Sequence, residues 1–340
     1  MEQQLQDSPP FLPTGAPLGG IPRAKVDIPV SAVFLVIYLL AGLTHTFIYN
    51  HNRHSIKTRF GPSRFIVLFC IIRIATMSLR IAQTQDISSI SLFITARVFT
   101  TAGVLLLYLL NFVLSQRIMR SWHPRFGWSR TMSWAFIAFY LTVPLTLFAL
   151  IGCFVDSLYT LDAHTRTQDE DVVKFGITYF LVVAAFPIPF ILINWLIRKA
   201  EKKERREELK EERHQCPTMA GNATRSALVV GVAALVLVIG QIYRTGSGWA
   251  KPAPLLHPAW WDSKACFYVF EFVPEVLVVI LYAVVRVDRL FFVPGKSEGE
   301  VGKISTIAPE SHENGEDGHA RTNIISRIWQ ATFLGRLFGH

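Results

Sequence analysis

From residue 29 onward, long apolar blocks alternate with short polar segments, and the alternation repeats seven times. The blocks lie at about 29–50, 65–83, 90–115, 131–155, 173–197, 226–243 and 265–285. A helix of about 18–25 residues, rising 1.5 Å per residue, crosses roughly 30 Å of hydrocarbon. The pattern therefore predicts an all-α polytopic membrane protein with seven transmembrane helices, its membrane domain covering 28–286. Arg73 and Arg80 interrupt the second block, and Pro187 and Pro189 the fifth. Residues 1–27 are polar and rich in Pro and Gly, which predicts a disordered tail. Residues 287–340 bury too little apolar surface to offset the entropy of ordering, so most of that segment is also expected to be disordered. Within it, Ile325, Trp329, Phe333 and Leu337 form an i,i+4 ladder beside Arg321, Arg327 and Arg336. That pattern predicts an interfacial helix over 323–338 on an anionic leaflet.

Composition closes off alternatives. The chain is 51% hydrophobic and only 17% charged, which excludes a soluble enzyme, a disordered protein and a disulfide scaffold. A net charge of +9 suggests nucleic acid at first sight, but Lys and Arg concentrate between the apolar blocks. There they report orientation instead. Segments 51–64, 116–130 and 198–225 carry four, four and nine Lys or Arg. The N-terminal segment and segments 84–89, 156–172 and 244–264 carry two, none, one and three. This bias predicts an extracellular N-terminus and a cytosolic C-terminus, with the plasma membrane as the expected location. The sequon Asn222-Ala223-Thr224 then falls on the cytosolic side and is expected to stay unglycosylated.

Charge inside the bilayer is the main pointer to a site, because each unpaired residue costs at least about 2.5–3.5 kcal/mol. Arg73, Arg80 and Arg97 lie in spans 2 and 3, and Glu271 and Glu275 lie one turn apart on span 7. Counting residues from the outer boundary puts Glu271 and Arg97 at roughly 9–11 Å depth, and Glu275 and Arg73 at roughly 12–15 Å. The matched depths predict two pairs, Arg97–Glu271 and Arg73–Glu275, with Arg80 left near the outer mouth. Such pairs either lock three spans together or line a pocket for an anionic group. Pro274 cannot donate to the carbonyl four residues earlier, so span 7 is expected to kink there. Cys153 and Cys266 fall near the outer ends of their spans, where either a disulfide or two free thiols is compatible with the sequence. Trp260-Trp261 reads as an interfacial anchor or a lid.

His45 is the only histidine well inside a block, and His45, His51 and His54 cluster near the inner end of span 1, at the interface. No metal-ligand spacing, P-loop or nucleophile–base pair occurs. The expectation is therefore a non-enzyme without cofactor or metal, whose constant partner is the lipid bilayer. Residues 198–214 are densely charged, with Glu201/Arg205 and Lys203/Glu207 at i,i+4 spacing, and read as a solvated helical spacer.

Several stretches carry a family resemblance. They are Gly15-Ala-Pro-Leu-Gly-Gly-Ile-Pro22 leading to Val26-Asp-Ile-Pro29, then Ser63-Arg-Phe-Ile and Arg73-Ile-Ala-Thr-Met-Ser-Leu-Arg80. They continue with His123-Pro-Arg-Phe-Gly-Trp128, His257-Pro-Ala-Trp-Trp261, Ser263-Lys-Ala-Cys-Phe-Tyr268 and Tyr282-Ala-Val-Val-Arg-Val-Asp288-Arg-Leu-Phe-Phe-Val-Pro294. Together they resemble a fungal seven-span membrane family of unassigned function, often labelled family-C-like G-protein-coupled receptors. Span 7 is more distantly similar to the fungal lipid-translocating-exporter family. The first resemblance implies a receptor-like sensor with a pocket in its outer half and a cytosolic signalling partner at 116–130 and 198–225. The second implies a lipid or small-solute transporter. Span 3 lacks an acidic-Arg-aromatic triplet and span 7 lacks Asn-Pro-x-x-Tyr, so neither class is fixed by a motif.

Overall fold

The computed structural model describes residues 9–11, 17–55, 61–208, 220–251, 253, 254 and 258–291. The expected interfacial helix at 323–338, and the C-terminal tail beyond 291, lie outside these residues. The helices are α1 (Ala24–Ser55), α2 (Gly61–Gln83), α3 (Ile90–Trp122), α4 (Pro124–Gly127), α5 (Arg130–Tyr159) and α6 (Ala163–Ala185). They continue with α7 (Pro187–Glu208), α8 (Ala220–Trp249), α9 (Lys264–Glu271), α10 (Val273–Val284) and the single turn α11 (Val287–Leu290). A 3-10 turn at Trp260–Asp262 leads into α9. Among the described residues there is no strand. Seven spans are long and apolar enough to cross a membrane, with α6 and α7 forming one and α9 and α10 another. The chain is an integral multi-pass membrane protein.

Local chemistry explains where several spans begin. Ser89 accepts from Leu92 N at 3.4 Å, Ser129 from Met132 N at 3.3 Å and Asp162 from Thr165 N at 2.9 Å. Ser263 accepts from Cys266 N at 3.3 Å. Each cap satisfies one of the four amide donors that a helix start leaves open. The outer spans are apolar on the surface: Phe47 on α1 and Leu145 and Phe148 on α5 are 70–71% exposed. A face of this kind is stable only against lipid.

Helix α3 is the axis of the bundle. Its apolar stretch is mostly buried, whereas those of α1 and α5 are mostly exposed. It packs against α2, α8, α7 and α5, while α1 bridges α2 and α10 to close one side. Spans 1 and 7 are an even number of crossings apart, so they run parallel, and this controls how their polar residues meet.

Helix boundaries differ from the sequence expectation at four places, each for a visible reason. Helix α1 begins at Ala24, inside the expected tail, because Asp27 is buried and bonded from several sides. Helix α8 runs on to Trp249 instead of stopping near 243, because Arg244 finds acidic partners within the bundle. Segment 116–130 is not a loop: α3 continues to Trp122, α4 follows at once, and Arg120 stacks 4.2 Å from the Trp128 ring. Residues 287–290 form α11, held because Asp288 is buried against Asn52 and Arg286.

Both proline-marked spans are broken. Helix α6 stops before Phe186 and α7 restarts on Pro187, and α9 stops at Glu271 before α10 restarts at Val273. Pro274 has no N–H to give to the carbonyl of Phe270. Gly240 of α8 packs against this gap: a Cβ there would sit 2.8 Å from Phe270 O and 3.5 Å from Pro274 Cγ. Gly240→Ala should therefore push α8 away from the break and cost about 1–3 kcal/mol, seen as a lower Tm in detergent. An unchanged Tm would show that the two helices separate without penalty.

Candidate functional site

Polar residues on α1 recur every seven positions: Ser31, Tyr38, His45 and Asn52 are all buried. A seven-residue repeat keeps one helical face turned to a neighbour that crosses at a shallow angle. The neighbour is span 7. Ser31 Oγ lies 2.9 Å from Tyr268 Oη, and Tyr38 Oη donates to Glu275 Oε2 at 3.3 Å. His45 Nε2 is 3.2 Å from Val279 O, and Asn52 Nδ2 donates to Asp288 Oδ2 at 2.7 Å. One polar seam thus runs the length of two parallel spans. His45, expected at an interface, is instead buried inside this seam, because the carbonyl of Val279 gives its ring a partner.

At the end of the seam where α1 starts, Asp27 is fully buried and gathers five donors. Arg23 N donates to Oδ2 at 2.6 Å, Lys264 Nζ donates to Oδ2, and Tyr268 Oη donates to Oδ1 at 2.8 Å. Arg80 donates to Oδ1 through Nε at 3.3 Å and through Nη2 at 3.2 Å. Lys264 also donates to Ile21 O at 2.8 Å, and Arg80 to Gly19 O at 3.1 Å. Gly19 adopts a φ of +79°, which favours glycine, and a Cβ there would lie 2.6 Å from the Phe267 ring. The Gly-Gly turn, α1, α2 and α9 therefore close on a single carboxylate.

Deeper along the same spans lies the second cluster. Arg73 is fully buried and bonded at every nitrogen. Nε donates to Glu275 Oε2 at 2.6 Å, Nη2 to Glu275 Oε1, and Nη1 to Thr100 O at 3.0 Å and Phe99 O at 3.3 Å. This is the bidentate arrangement in which a guanidinium and a carboxylate best offset the cost of dehydration. Gly103 makes room for it, since a Cβ there would stand 2.7 Å from Arg73 Cζ. Arg244 enters from α8, donating from Nε to Glu271 Oε2 at 2.6 Å and from Nη2 to Glu275 Oε1 at 3.0 Å. Among the described residues its Nη1 is buried without a hydrogen-bond partner.

At the opposite end, Arg286 holds a left-handed conformation (φ +54°, ψ +60°) directly after span 7. Its guanidinium grips Asp288 through Nη2–Oδ2 at 2.9 Å and Nε–Oδ1 at 3.1 Å. Burial pushes the Asp288 carboxyl up, but the bonds from Arg286 and Asn52 outweigh it and hold the group below the usual carboxylate range. Beside the seam, Ile37, Tyr38, Leu40, His45, Val279 and Ile280 line an apolar groove of about 270 Å³ between α1 and α10.

The expected residues fall out unevenly. Arg73 and Glu275 pair as their depths predict. Arg97 and Glu271 do not: Glu271 is taken by Arg244, which the longer α8 carries to that depth, while Arg97 is exposed on α3. Among the described residues Arg97 has no hydrogen bond or ion pair from its side chain, though it lies within electrostatic reach of Glu271, Arg244 and Tyr243. Arg80 is not left at the mouth; it is bound into the Asp27 cluster and stacks 4.9 Å from the Phe267 ring. Cys153 and Cys266 are both free thiols, because α5 packs on α6, α3 and α4 while α9 packs on α8 and α10. Among the described residues no three His, Cys, Asp or Glu side chains assemble as a metal site requires. Asp27, Lys264 and Arg244 escaped the sequence reading. The seven-residue polar repeat on α1 was the available signal for the seam that Asp27 heads.

Removing one member of a buried pair leaves an unpaired charge and costs about 3–5 kcal/mol. Arg73→Gln and Glu275→Gln should each lower the Tm in detergent, and the double variant should lose less than the sum. Strictly additive losses would disprove the coupling. Arg80→Gln should be damaging as well, whereas Arg97→Gln should leave the Tm nearly unchanged, since no bond is lost.

Residues 26–210 match the family model described as Domain of unknown function (DUF7702), and residues 206–292 match the one described as Protein of unknown function (DUF3112). No curated protein and no solved structure matches the chain. The first match takes in α1 to α7, including Asp27, Arg73 and Arg80. The second supplies Arg244, Lys264, Glu271, Glu275 and Asp288, so the Arg73–Glu275 and Asp27–Lys264 pairs join the two matched regions. With more than half its length covered by the first, the chain belongs to the DUF7702 family, a family of unassigned function.

Proposed function

We propose that this protein is a receptor-like seven-span sensor: it reads a ligand in the half of the bundle that holds Asp27 and Glu275 and reports at the other end. The seam between spans 1 and 7 carries this reading. It joins two charge clusters at one end to the Arg286–Asp288–Asn52 latch at the other, and it crosses the break at Phe272 on the way. A broken helix with fixed polar contacts on both sides can change angle without losing its register, which is what a signal across a bilayer requires. The protein acts in this reading by binding rather than by catalysis.

The orientation belongs to the same proposal. It is supported by the charge bias between spans, 17 Lys and Arg in 51–64, 116–130 and 198–225 against six in the other segments. The Asp27 end then faces outward at the plasma membrane, and the latch faces the cytosol. There the α3–α4–α5 corner, with Arg120 on Trp128 and Arg198 5.4 Å from the Trp122 ring, is the surface for a signalling partner together with 198–225. A second reading, translocation of a lipid or small solute, draws on one observation: the α1–α10 groove opens on the lipid-facing side, between Leu40 and Ile280.

A tag placed before Met1 should be accessible on intact cells and a reporter after His340 should be cytosolic; protection of the N-terminal tag would invert the scheme. To separate the two functions, the purified protein is tested for nucleotide exchange on a G-protein α subunit and, in liposomes, for lipid translocation. Asn52→Ala, which loosens the latch, should raise basal exchange several-fold without promoting translocation. Translocation above that of empty liposomes, with exchange unchanged, would establish the transporter instead.

A further inference from the structure

Two guanidinium groups remain short of partners at the same level of the bundle. Arg97 sits in span 3, exposed and without a hydrogen bond or ion pair from its side chain among the described residues. A bare guanidinium in the hydrocarbon zone costs several kcal/mol unless water or an anion reaches it. Arg244 spends Nε and Nη2 on Glu271 and Glu275, while Nη1 is buried and unpaired among the described residues. An unsatisfied buried donor is costly too, and the two groups flank one centre: Arg244 and Arg73 share Glu275, and Arg73 also donates to Thr100 O, three residues along α3 from Arg97. Around them Glu271 and Glu275 supply two negative charges against three positive ones from Arg73, Arg97 and Arg244. One positive charge is left over, on the accessible member.

We infer that Arg97 and the free Nη1 of Arg244 form a binding site for an oxyanion of the phosphate class. A tetrahedral oxyanion offers separate oxygens to two guanidinium groups on different helices, and charge-assisted bonds of this kind are the strongest available to it. Arg97 is exposed, so an anion can reach it from outside the bundle. The same chemistry is presented by a free phosphate and by the headgroup of an anionic phospholipid. The site stands whether the protein signals or transports, since it rests on the unmatched donors alone.

The test reads binding directly, so it is independent of any signalling assay. The full chain in neutral detergent is melted with sodium phosphate and with sodium chloride at equal ionic strength. It is also melted in nanodiscs of phosphatidylcholine with and without phosphatidic acid. A saturating anion should raise Tm by about 5 °C over its control. In Arg97→Gln the apparent affinity should fall at least about tenfold, and Arg97→Lys should recover part of it. Arg97→Gln breaks no bond within the protein and should elute as the wild type does on size exclusion. A rise with phosphate in detergent assigns the site to a free anion; a rise with phosphatidic acid alone assigns it to a lipid headgroup. No rise in either arm, equal rises in wild type and Arg97→Gln, or the same effect from chloride would each overturn the inference.

Discussion

The Arg73–Glu275 ion pair is the contact on which the rest of the bundle depends. Two full charges stand in the membrane interior with 0% and 1% exposure, where neither finds water. Such a pair is tolerated only when geometry is good and every remaining hydrogen-bonding group is used. The surroundings supply that: α3 offers two backbone carbonyls, Gly103 leaves a gap the size of a guanidinium, and Tyr38 and Arg244 complete the carboxylate. Spans 1, 2, 3, 6 and 7 are thereby positioned by one polar centre. Apolar packing alone would not select this arrangement, since lipid tails compete equally for Leu and Val surfaces.

The Asp27 cluster repeats the same logic nearer the membrane boundary. Several stretches that carry the family resemblance are far apart in the chain yet meet here: Gly19 with its turn, Asp27, Arg80, and the run from Ser263 to Tyr268. Their common pattern has a physical meaning, a buried carboxylate on α1 whose donors come from α2, from α9 and from the residue before α1. The two clusters, and the latch at the far end, are strung along spans 1 and 7 because those helices run parallel. Equal residue steps on each then bring successive polar groups into register. Breaks at Phe186 and Phe272 lie within this rigid frame, where helix ends can shift without exposing backbone to lipid.

Depth arithmetic worked for Arg73 with Glu275 because both lie deep in well-bounded spans, where an error of one or two residues moves a group by only about 1.5–3 Å. It failed for Arg97 because it assumed that α8 ended near 243. A helix end is decided by whether the next residue finds a partner, and Arg244 finds two. Arg80 departs from the expected outer mouth because its acidic partner, Asp27, lies in a segment whose composition predicts a tail; a lone arginine would otherwise snorkel to the surface.

Hydrophobic periodicity and length alone settle the fold class, the seven spans and the positions of both proline breaks, because bilayer thickness and the missing proline N–H act on the chain locally. The seven-residue polar repeat of α1 was equally present in the sequence, for the same local reason. Which charge answers which is another matter. Glu271 choosing Arg244 over Arg97, two cysteines remaining free thiols, and Asp27 drawing Lys264 from 237 positions away depend on which helices are neighbours. Charges and thiols act over a few ångströms, and only the packed bundle sets distances on that scale.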